Sequence, residues 1–255
     1  MTETSKRPIV LSSKHSEEIV DHPIGDIDRD PMFLEVFGKA RPFTMTSKEV
    51  MFSLYQASKY VAERQLPGDF VECGVWRGGS SLLAALTLRN LDKPKGSLFR
   101  KPKPRRFWLY DTYEGMTAPT AADIDMGGNT AKGYMEQFGD DGRWCYADLA
   151  DVRNTFASNG FSEDQVRLIK GDVLQTLQTH IPEKISILRL DTDWYESTKM
   201  ELEVLYPRLV RGGILIIDDY GHWEGSRKAV DEYFSKHPSL LLNRVSYAVR
   251  MAVKV

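Results

Sequence analysis

The sequence predicts an α/β fold built on a doubly wound, mostly parallel sheet, and three observations lead to this prediction. Short apolar segments alternate along the chain with segments whose apolar residues recur at helical spacing. Residues 214–217 are consecutive large aliphatic residues, as expected for a central strand that helices cover on both faces. The 255 residues are 42% hydrophobic and 27% charged, which excludes a disordered, collagen-like or disulfide-stapled chain.

The predicted elements follow one another as strand and helix in turn. A first helix begins at Thr46, which has the spacing of a capping box with Glu49, and it ends before Pro67. Strands are predicted at residues 69–74, 107–111, 166–170, 185–191 and 213–218, with a final strand or hairpin arm in residues 245–255. Helices are predicted at residues 80–90, 149–159, 197–209 and 225–236, and the third of them is expected to be interrupted near Pro207. Helices between successive strands are typical of a parallel sheet with helices on both faces.

Residues 46–255 are predicted to form one domain, and three segments depart from its alternation. Residues 1–45 mix prolines with charges and are interpreted as an N-terminal arm. This arm is either a partly ordered tail or a segment that covers the active site or packs on a second subunit. Residues 112–146 are rich in glycine and aromatic residues and predict a substrate lid. Residues 92–106 are basic and are expected to form a solvated surface loop.

Charge and cysteine content limit the partners and the compartment. The net charge is −2, so neither nucleic acid nor an anionic membrane surface is expected as a partner. No apolar run is long enough to span a bilayer, and residues 1–20 lack the apolar core of a signal peptide. Cys73 and Cys145 provide no disulfide framework, which fits a reducing cytoplasm.

A glycine-rich turn follows the first predicted strand and reads E-C-G-V-W-R-G-G-S from Glu72 to Ser80. Its glycines allow a ligand to approach the backbone, and the helix that begins there offers free amide groups. The turn lacks the G-x-G-x-x-G spacing of dinucleotide sites, and Glu72 would repel a pyrophosphate. A carboxylate suits a cation instead, which favours S-adenosylmethionine (SAM) with its ammonium and sulfonium groups. The predicted cofactor contacts in this turn are Glu72, Gly74, Val75, Trp76 and Ser80.

Further polar residues lie at the ends of the next two predicted strands. Asp111, followed by Thr112, is placed to accept hydrogen bonds from two ribose hydroxyls. Asp172 follows the third strand and is expected to meet the adenine edge. The alternative interpretation of the first turn is an ordinary tight turn in which Glu72 pairs with Arg77.

Carboxylates also end the fourth and fifth predicted strands. Asp191, Asp218 and Asp219 are expected to converge at one edge, because these strands are neighbours in a sheet of this kind. Clustered carboxylates repel one another and need a cation, and oxygen ligands select a hard ion such as Mg²⁺. Arg189 lies within an apolar strand and is expected to be neutralised by one of these acids.

A larger set of motif residues extends along the chain from about residue 46 to residue 255. It consists of Glu72, Gly74, Val75, Trp76, Arg77, Gly78, Gly79, Asp111, Tyr113, Glu114, Gly115, Arg189, Asp191, Asp193, Tyr195, Ser197, Thr198, Pro207, Gly212, Gly213, Asp218, Asp219, Tyr220, Ala229, Val230 and Tyr233. This set resembles the macrocin O-methyltransferase (TylF/MycF) family. The resemblance implies a Rossmann-like class I SAM-dependent methyltransferase with a seven-stranded sheet, methylation of a sugar hydroxyl on a natural product, and a homo-oligomer. It also implies Mg²⁺ on Asp191, Asp218 and Asp219.

The expected mechanism is transfer of the SAM methyl group to a hydroxyl oxygen. A metal ion on the catalytic Asp191 and its neighbours would lower the pKa of the acceptor hydroxyl. Asp193 is the first candidate for the general base and His222 the second. Three alternatives stay open: a catechol-like acceptor, a metal-dependent glycosyltransferase that uses the D-x-D spacing of Asp191 and Asp193, and a binding module without activity.

Overall fold

A seven-stranded sheet runs through the computed structural model, which describes residues 25–92, 104–138 and 144–255. The strands are β1 (Asp69–Cys73), β2 (Phe107–Asp111), β3 (Val166–Lys170), β4 (Ile185–Leu190), β5 (Leu209–Ile217), β6 (Asn243–Arg244) and β7 (Arg250–Val253). Their order in the sheet is β3-β2-β1-β4-β5-β7-β6. Strands β1 to β5 pair in parallel, whereas β7 is antiparallel to both β5 and β6. The prediction of a doubly wound, mostly parallel sheet is therefore confirmed.

Helices connect the strands and cover both faces of the sheet. They are α1 (Pro31–Ala40), α2 (Lys48–Glu63), α3 (Gly79–Leu91), α4 (Ala131–Phe138), α5 (Leu149–Ser158), α6 (Val173–Thr176), α7 (Tyr195–Val204) and α8 (Glu224–Lys236). The interruption near Pro207 predicted for residues 197–209 is confirmed, because α7 ends at Val204 and a 3-10 turn with Pro207 follows it. That turn leads directly into β5, which begins at Leu209 rather than at residue 213.

The start of α2 corrects one prediction. The N-cap is Ser47, whose Oγ accepts a hydrogen bond from the Val50 N–H at 3.4 Å. Thr46 instead donates its own N–H to Oγ1 of Thr44 at 3.0 Å. The predicted capping box of Thr46 is therefore wrong by one residue. Both hydroxyl residues are good caps by type, and only the backbone geometry selects between them.

Two apolar cores lie on opposite faces of the sheet, because strand side chains alternate between faces. In β1, Phe70 joins the core formed with α1, α2, α3 and α5, whereas Val71 joins the core formed with α6, α7 and α8. Both side chains are fully buried. Since β1, β4 and β5 run parallel and each leads into a helix, α3 on one face and α7 and α8 on the other all begin at the carboxyl edge of the sheet.

The described part of the predicted arm, residues 25–45, packs onto the domain. Asp30 caps α1 by accepting hydrogen bonds from two backbone N–H groups of its first turn, and it also accepts one from the Tyr55 hydroxyl at 2.9 Å. Phe33 of α1 is fully buried in the first core. Whether the arm covers the active site, and its boundary at residue 45, stay predictions. Residues 1–24 lie outside the described residues.

Two other predicted segments are described only in part. Residues 93–103 of the basic insertion and residues 139–143 of the predicted lid lie outside the described residues. The described lid residues include α4. In the part of the chain that the structure covers, no helix combines the length and apolar character needed to cross a membrane.

Candidate active site

The turn between β1 and α3 brings the ends of two parallel strands into contact. Gly74 follows β1 with a φ of 82°, and a Cβ on it would overlap the carbonyl oxygen of Asp191 at the end of β4. The Asp191 N–H donates to the carbonyl oxygen of Cys73 at 2.8 Å. Gly78, with a φ of 83°, precedes α3 and has no side chain to cap it. The predicted cofactor turn is thus shaped by backbone atoms that approach one another closely.

Replacing Gly74 by alanine is expected to lower both stability and activity. The positive φ is unfavourable for a side chain, and the added Cβ forces β1 and β4 apart where Asp191 lies. The expected loss in the free energy of unfolding is about 1–3 kcal/mol, measured by urea denaturation. Gly38→Ala in α1 is the control, because nothing lies within 4 Å of its added Cβ, and it should stabilise the helix. Equal stability of the two variants would contradict this account.

Asp111, at the end of β2, ties the glycine-rich turn to the neighbouring strand. Its Oδ2 accepts hydrogen bonds from the N–H groups of Val75 at 2.7 Å and Trp76 at 2.9 Å. Its Oδ1 accepts one from the Tyr113 N–H at 2.8 Å. Trp76 and Tyr113 have φ values of 48° and 53°, which is strained backbone for aromatic residues. The strain is concentrated at the strand ends, where open α/β sheets bind their ligands.

The next two predicted contacts, Thr112 and Asp172, make local hydrogen bonds. Thr112 Oγ1 donates to the carbonyl oxygen of Gly115 at 2.5 Å. Asp172 caps α6, since its Oδ1 accepts a hydrogen bond from the Leu174 N–H at 2.9 Å. Asp172 therefore has the capping role that acids at strand ends often take. Its contact with an adenine edge stays a prediction.

Glu72 and Ser80, at the two ends of the turn, are buried and contact each other. Glu72 is fully buried, and its carboxylate accepts hydrogen bonds from Ser80 Oγ at 2.6 Å and from Ser81 Oγ. Arg189 Nη1 contacts the same carboxylate at 2.5 Å, so the ion-pair partner is Arg189 and not Arg77. Glu72 thus neutralises a buried guanidinium. The cofactor contacts predicted for Glu72 and Ser80 stay predictions.

Arg189 in β4 is the centre of this buried ion-pair network. Its Nη1 contacts Glu72 and Asp191, both at 2.5 Å, and its Nη2 contacts Asp218 at 2.6 Å. Only 3% of its side chain is exposed. Burial opposes the positive charge, but the three carboxylates outweigh burial and raise the pKa of Arg189 well above its usual value. Three acids around one guanidinium leave an excess of negative charge at this edge.

Three carboxylates at the ends of β4 and β5 lie close enough to share one cation. One oxygen atom from each of Asp191, Asp193 and Asp219 lies within 4.8 Å of the others. Burial raises the pKa of Asp191, Arg189 opposes that shift, and Asp218 and Asp219 add to it. The net effect is a raised pKa, because like charges crowd a poorly solvated position. A divalent cation would relieve this repulsion, and an all-oxygen donor set suits Mg²⁺.

Asp193 stands in this group where the prediction placed Asp218. Asp218 follows β5 and directs its Oδ1 to Arg189. Asp193 has a φ of 68°, and its carboxylate lies with those of Asp191 and Asp219. The left-handed backbone at Asp193 sets the direction of its side chain, and spacing along the sequence does not reveal it. The structure therefore brings two of the predicted metal ligands together with the predicted base.

His222 lies just after the turn that follows β5. Its backbone N–H donates to the carbonyl oxygen of Asp219 at 2.9 Å. Its ring centroid lies 4.7 Å from that of Trp223. Its Nδ1 is 3.4 Å from the Tyr247 hydroxyl. Among the described residues, His222 is not part of the group of three carboxylates. A role as general base therefore rests on its position beside Asp219 and stays a prediction.

The predicted lid supplies a cap to α7, a feature that sequence reasoning missed. Asp123 is 1% exposed, and its Oδ1 accepts a hydrogen bond from the Tyr195 N–H at 2.8 Å. Its Oδ2 accepts bonds from the N–H and hydroxyl of Thr120. A Cβ on Gly225 in α8 would overlap Asp123 Oδ1. The spacing of Thr120 and Asp123 is a local capping signal, but the partner Tyr195 lies 72 residues along the chain.

An aromatic cluster holds the lid against the domain. Tyr134 and Trp144 from the lid pack with Trp194 and Trp223, which are the N-cap residues of α7 and α8. The ring centroids of Trp194 and Trp223 are 5.2 Å apart. Tyr134, Trp194 and Trp223 are each at most 5% exposed. The described lid residues thus pack at the starts of α7 and α8, and their role in substrate binding stays a prediction.

Sequence comparisons relate the chain to one group of enzymes. Residues 37–240 match the model of the macrocin-O-methyltransferase (TylF) family. The chain is 33% identical over 217 residues to 8-demethyl-8-(2,3-dimethoxy-alpha-L-rhamnosyl)-tetracenomycin-C 4'-O-methyltransferase of Streptomyces olivaceus, covering 84% of this chain and 76% of that protein. It is 32% identical over 194 residues to mycinamicin III 3''-O-methyltransferase of Micromonospora griseorubida, covering 76% of this chain and 71% of that protein.

A solved structure shows the same relationship. The fold is similar to that of the O-methyltransferase NovP, with a TM-score of 0.73 and 25% sequence identity. The similarity covers 90% of this chain and 99% of NovP. The family match spans most of the domain that holds the glycine-rich turn and the carboxylate group. The chain therefore belongs to the macrocin O-methyltransferase (TylF) family and is a SAM-dependent O-methyltransferase.

Proposed function

We propose that the protein transfers a methyl group from SAM to a sugar hydroxyl of a natural product, and that the reaction needs Mg²⁺. The observation that carries this proposal is the group of Asp191, Asp193 and Asp219 at the carboxyl edge of the sheet. The names of two relatives support the acceptor class, because one is named for a rhamnosyl tetracenomycin and the other for mycinamicin III. A homo-oligomer and a cytoplasmic location, expected from the family and the cysteine content, belong to the same proposal.

The backbone of the β1–α3 turn and the end of β2 would hold SAM. Gly74, Val75 and Trp76 form the turn, and Asp111 fixes its shape at the position expected for a ribose. The turn has no phosphate-binding spacing, and the nearby excess of carboxylates favours a positively charged donor. Glu72, which accepts a hydrogen bond from Ser80, acts indirectly by neutralising Arg189.

Asp191 and Asp219 would hold Mg²⁺, since both belong to the carboxylate group. When bound, the ion supplies positive charge that lowers the pKa of the acceptor hydroxyl and orients it. Arg189 already balances one oxygen of Asp191 and one of Asp218.

Asp193 accepts the proton of the acceptor hydroxyl in this proposal, with His222 as the second candidate. An oxygen of the Asp193 carboxylate lies within 4.8 Å of oxygens of Asp191 and Asp219, so it is close to the place where the acceptor would bind. The lid and its aromatic cluster exclude water from the reacting groups. The acceptor oxygen then attacks the methyl carbon of SAM as the bond from carbon to sulfur breaks. Holding the two partners in line contributes much of the rate enhancement.

Removal of divalent metal ions is expected to lower methyl transfer by about 100-fold or more. The assay uses SAM with the two glycosides that appear in the names of the relatives, the rhamnosyl tetracenomycin and mycinamicin III. Turnover is measured before chelation, after chelation and after Mg²⁺ is added back. The expected result is loss and recovery of turnover with unchanged SAM affinity by calorimetry. Full activity of the metal-stripped enzyme would overturn the Mg²⁺ requirement. Faster methylation of a simple catechol than of either glycoside would overturn the sugar acceptor in favour of the catechol-like alternative.

A further inference from the structure

The backbone at Asp193 is held in an unfavourable conformation. Its φ of 68° is combined with a hydrogen bond from the Trp194 N–H to the carbonyl oxygen of Thr192 at 2.8 Å. A bond that spans one residue with positive φ defines a strained γ-turn. Strained backbone persists only where surrounding contacts over-determine it, and it is concentrated at functional sites. The contacts that hold this turn therefore bear on how Asp193 is aimed.

A buried glutamate in α7 provides one of these contacts. Thr192 Oγ1 donates a hydrogen bond to Glu201 Oε1 at 2.9 Å. Ser197 Oγ, one helical turn earlier in α7, donates to the carbonyl oxygen of Trp194 at 3.1 Å. The residues on either side of Asp193 are thus both attached to the same helix. Since α7 is packed into the second core, these contacts fix the turn to a rigid element.

The burial of Glu201 is unfavourable for the stability of the fold. None of the Glu201 surface is accessible to solvent. Within the described residues its Oε2 accepts no hydrogen bond from a nitrogen or oxygen donor, and only the weakly donating Cys73 thiol lies beside the carboxyl group. Burial raises the pKa of Glu201 to about 8, a shift opposed by the hydrogen bonds from Thr192 and Cys73. A buried carboxyl group with so few strong donors destabilises a protein, so packing alone does not explain it at this position.

Glu201 is also not one of the acids proposed to bind the metal ion or to accept the proton. It is not a member of the group formed by Asp191, Asp193 and Asp219. Its only hydrogen bond from the 191–193 turn in the described structure is the one from the Thr192 hydroxyl. Thr192 therefore links Glu201 to the turn that holds Asp193. Glu201 also lies beside the Cys73 thiol and interacts electrostatically with Asp219, so a change at Thr192 is needed to isolate the effect that passes through the turn.

We propose that Glu201 is a positioning residue for methyl transfer, which holds Thr192 so that the γ-turn aims the Asp193 carboxylate into the site. The proposal rests on the function proposed above, in which Asp193 accepts the proton of the acceptor hydroxyl. A neutral carboxyl or amide group at residue 201 satisfies Thr192 equally well, whereas an aliphatic group does not.

Glu201→Leu tests the proposal, because leucine fills similar space without an acceptor for Thr192. The expected result is a kcat lowered by about 10- to 100-fold, as for a misplaced catalytic group. The affinity for SAM, the affinity for Mg²⁺ measured by calorimetry, and the melting temperature are expected to stay equal or to rise. Glu201→Gln is expected to retain kcat within about threefold, because its amide oxygen still accepts the Thr192 bond.

Two further variants separate positioning from general damage. Glu203→Leu is the matched control, since Glu203 is an exposed glutamate of the same helix and should leave kcat unchanged. Thr192→Val should reproduce the loss seen in Glu201→Leu, and the double variant should lose no more than either single one. Additive losses, or a Glu201→Leu enzyme with normal kcat, would overturn the proposal. A wild-type enzyme that does not methylate glycosides would overturn the proposed function instead, and a fully active Asp193→Asn enzyme would overturn the role of Asp193 as base.

Discussion

Asparagine in place of Asp219 is expected to lower kcat by about 100-fold or more while SAM still binds. Asp219 is 9% exposed at the end of β5, and asparagine keeps its shape while removing its charge. The change weakens Mg²⁺ binding and therefore removes charge that lowers the pKa of the acceptor hydroxyl. SAM affinity is expected to stay the same, because β4 separates β5 from the β1–α3 turn in the sheet. Steady-state kinetics with titrated Mg²⁺, together with calorimetry for SAM, measure both effects.

The control for this variant is Asp164→Asn. Asp164 is exposed and precedes β3, so it lies at the opposite edge of the sheet from the carboxylate group. It should leave kcat and the Mg²⁺ requirement unchanged. If the Asp219 variant kept the wild-type kcat and the wild-type Mg²⁺ dependence, Asp219 would not be a metal ligand.

Methionine in place of Arg189 is expected to cost about 3–5 kcal/mol in the free energy of unfolding. The guanidinium is the shared partner of Glu72, Asp191 and Asp218, and its loss leaves these acids without their buried counter-charge. Glu72 is fully buried and is affected most. Urea denaturation measures the loss, and a variant that expresses poorly would be compared by pulse proteolysis. The double variant with Glu72→Gln is expected to recover part of the stability, because glutamine removes one buried negative charge.

Arg227→Met is the matched control for the Arg189 variant. Arg227 pairs with Asp231 at 3.6 Å, and its side chain is 49% exposed. Exposed ion pairs of this kind contribute little, so a change within about 1 kcal/mol is expected. Comparable losses in the two arginine variants would show that burial does not govern the strength of the Arg189 network.

The sheet and its functional edge could be predicted because their signals are local. Apolar runs such as residues 214–217 identify buried strands, and parallel strands place their carboxyl ends at one edge. Asp191 and Asp219 follow two such strands, so their meeting required only the correct strand order. The interruption near Pro207 could also be predicted, but the predicted start of β5 at residue 213 is four residues later than Leu209, because helical and strand patterns overlap where a 3-10 turn joins them.

Contacts between distant residues could not be predicted in the same way. Glu72 pairs with Arg189, which is 117 residues further along the chain, and no local pattern distinguishes it from an acid that faces a ligand. The direction of Asp193 depends on a strained φ that tertiary contacts impose. Glu201 reads as an ordinary helical glutamate until its burial is known. The residue type at each of these positions fits an ordinary local role. The packed structure gives each side chain a different role through contacts with residues that are distant in the sequence.

The bond from Asp123 to the start of α7 has a consequence for enzyme engineering. A graft that replaced the predicted lid with that of a relative would also remove the cap on α7, the helix that follows the turn at Asp193. A transplanted segment must therefore carry an acid at the position of Asp123, and the recipient must keep Gly225, whose missing side chain leaves room for that acid. Chimeras designed as matched pairs of these two positions should preserve turnover, whereas grafts that ignore the pairing should lose it together with the old selectivity.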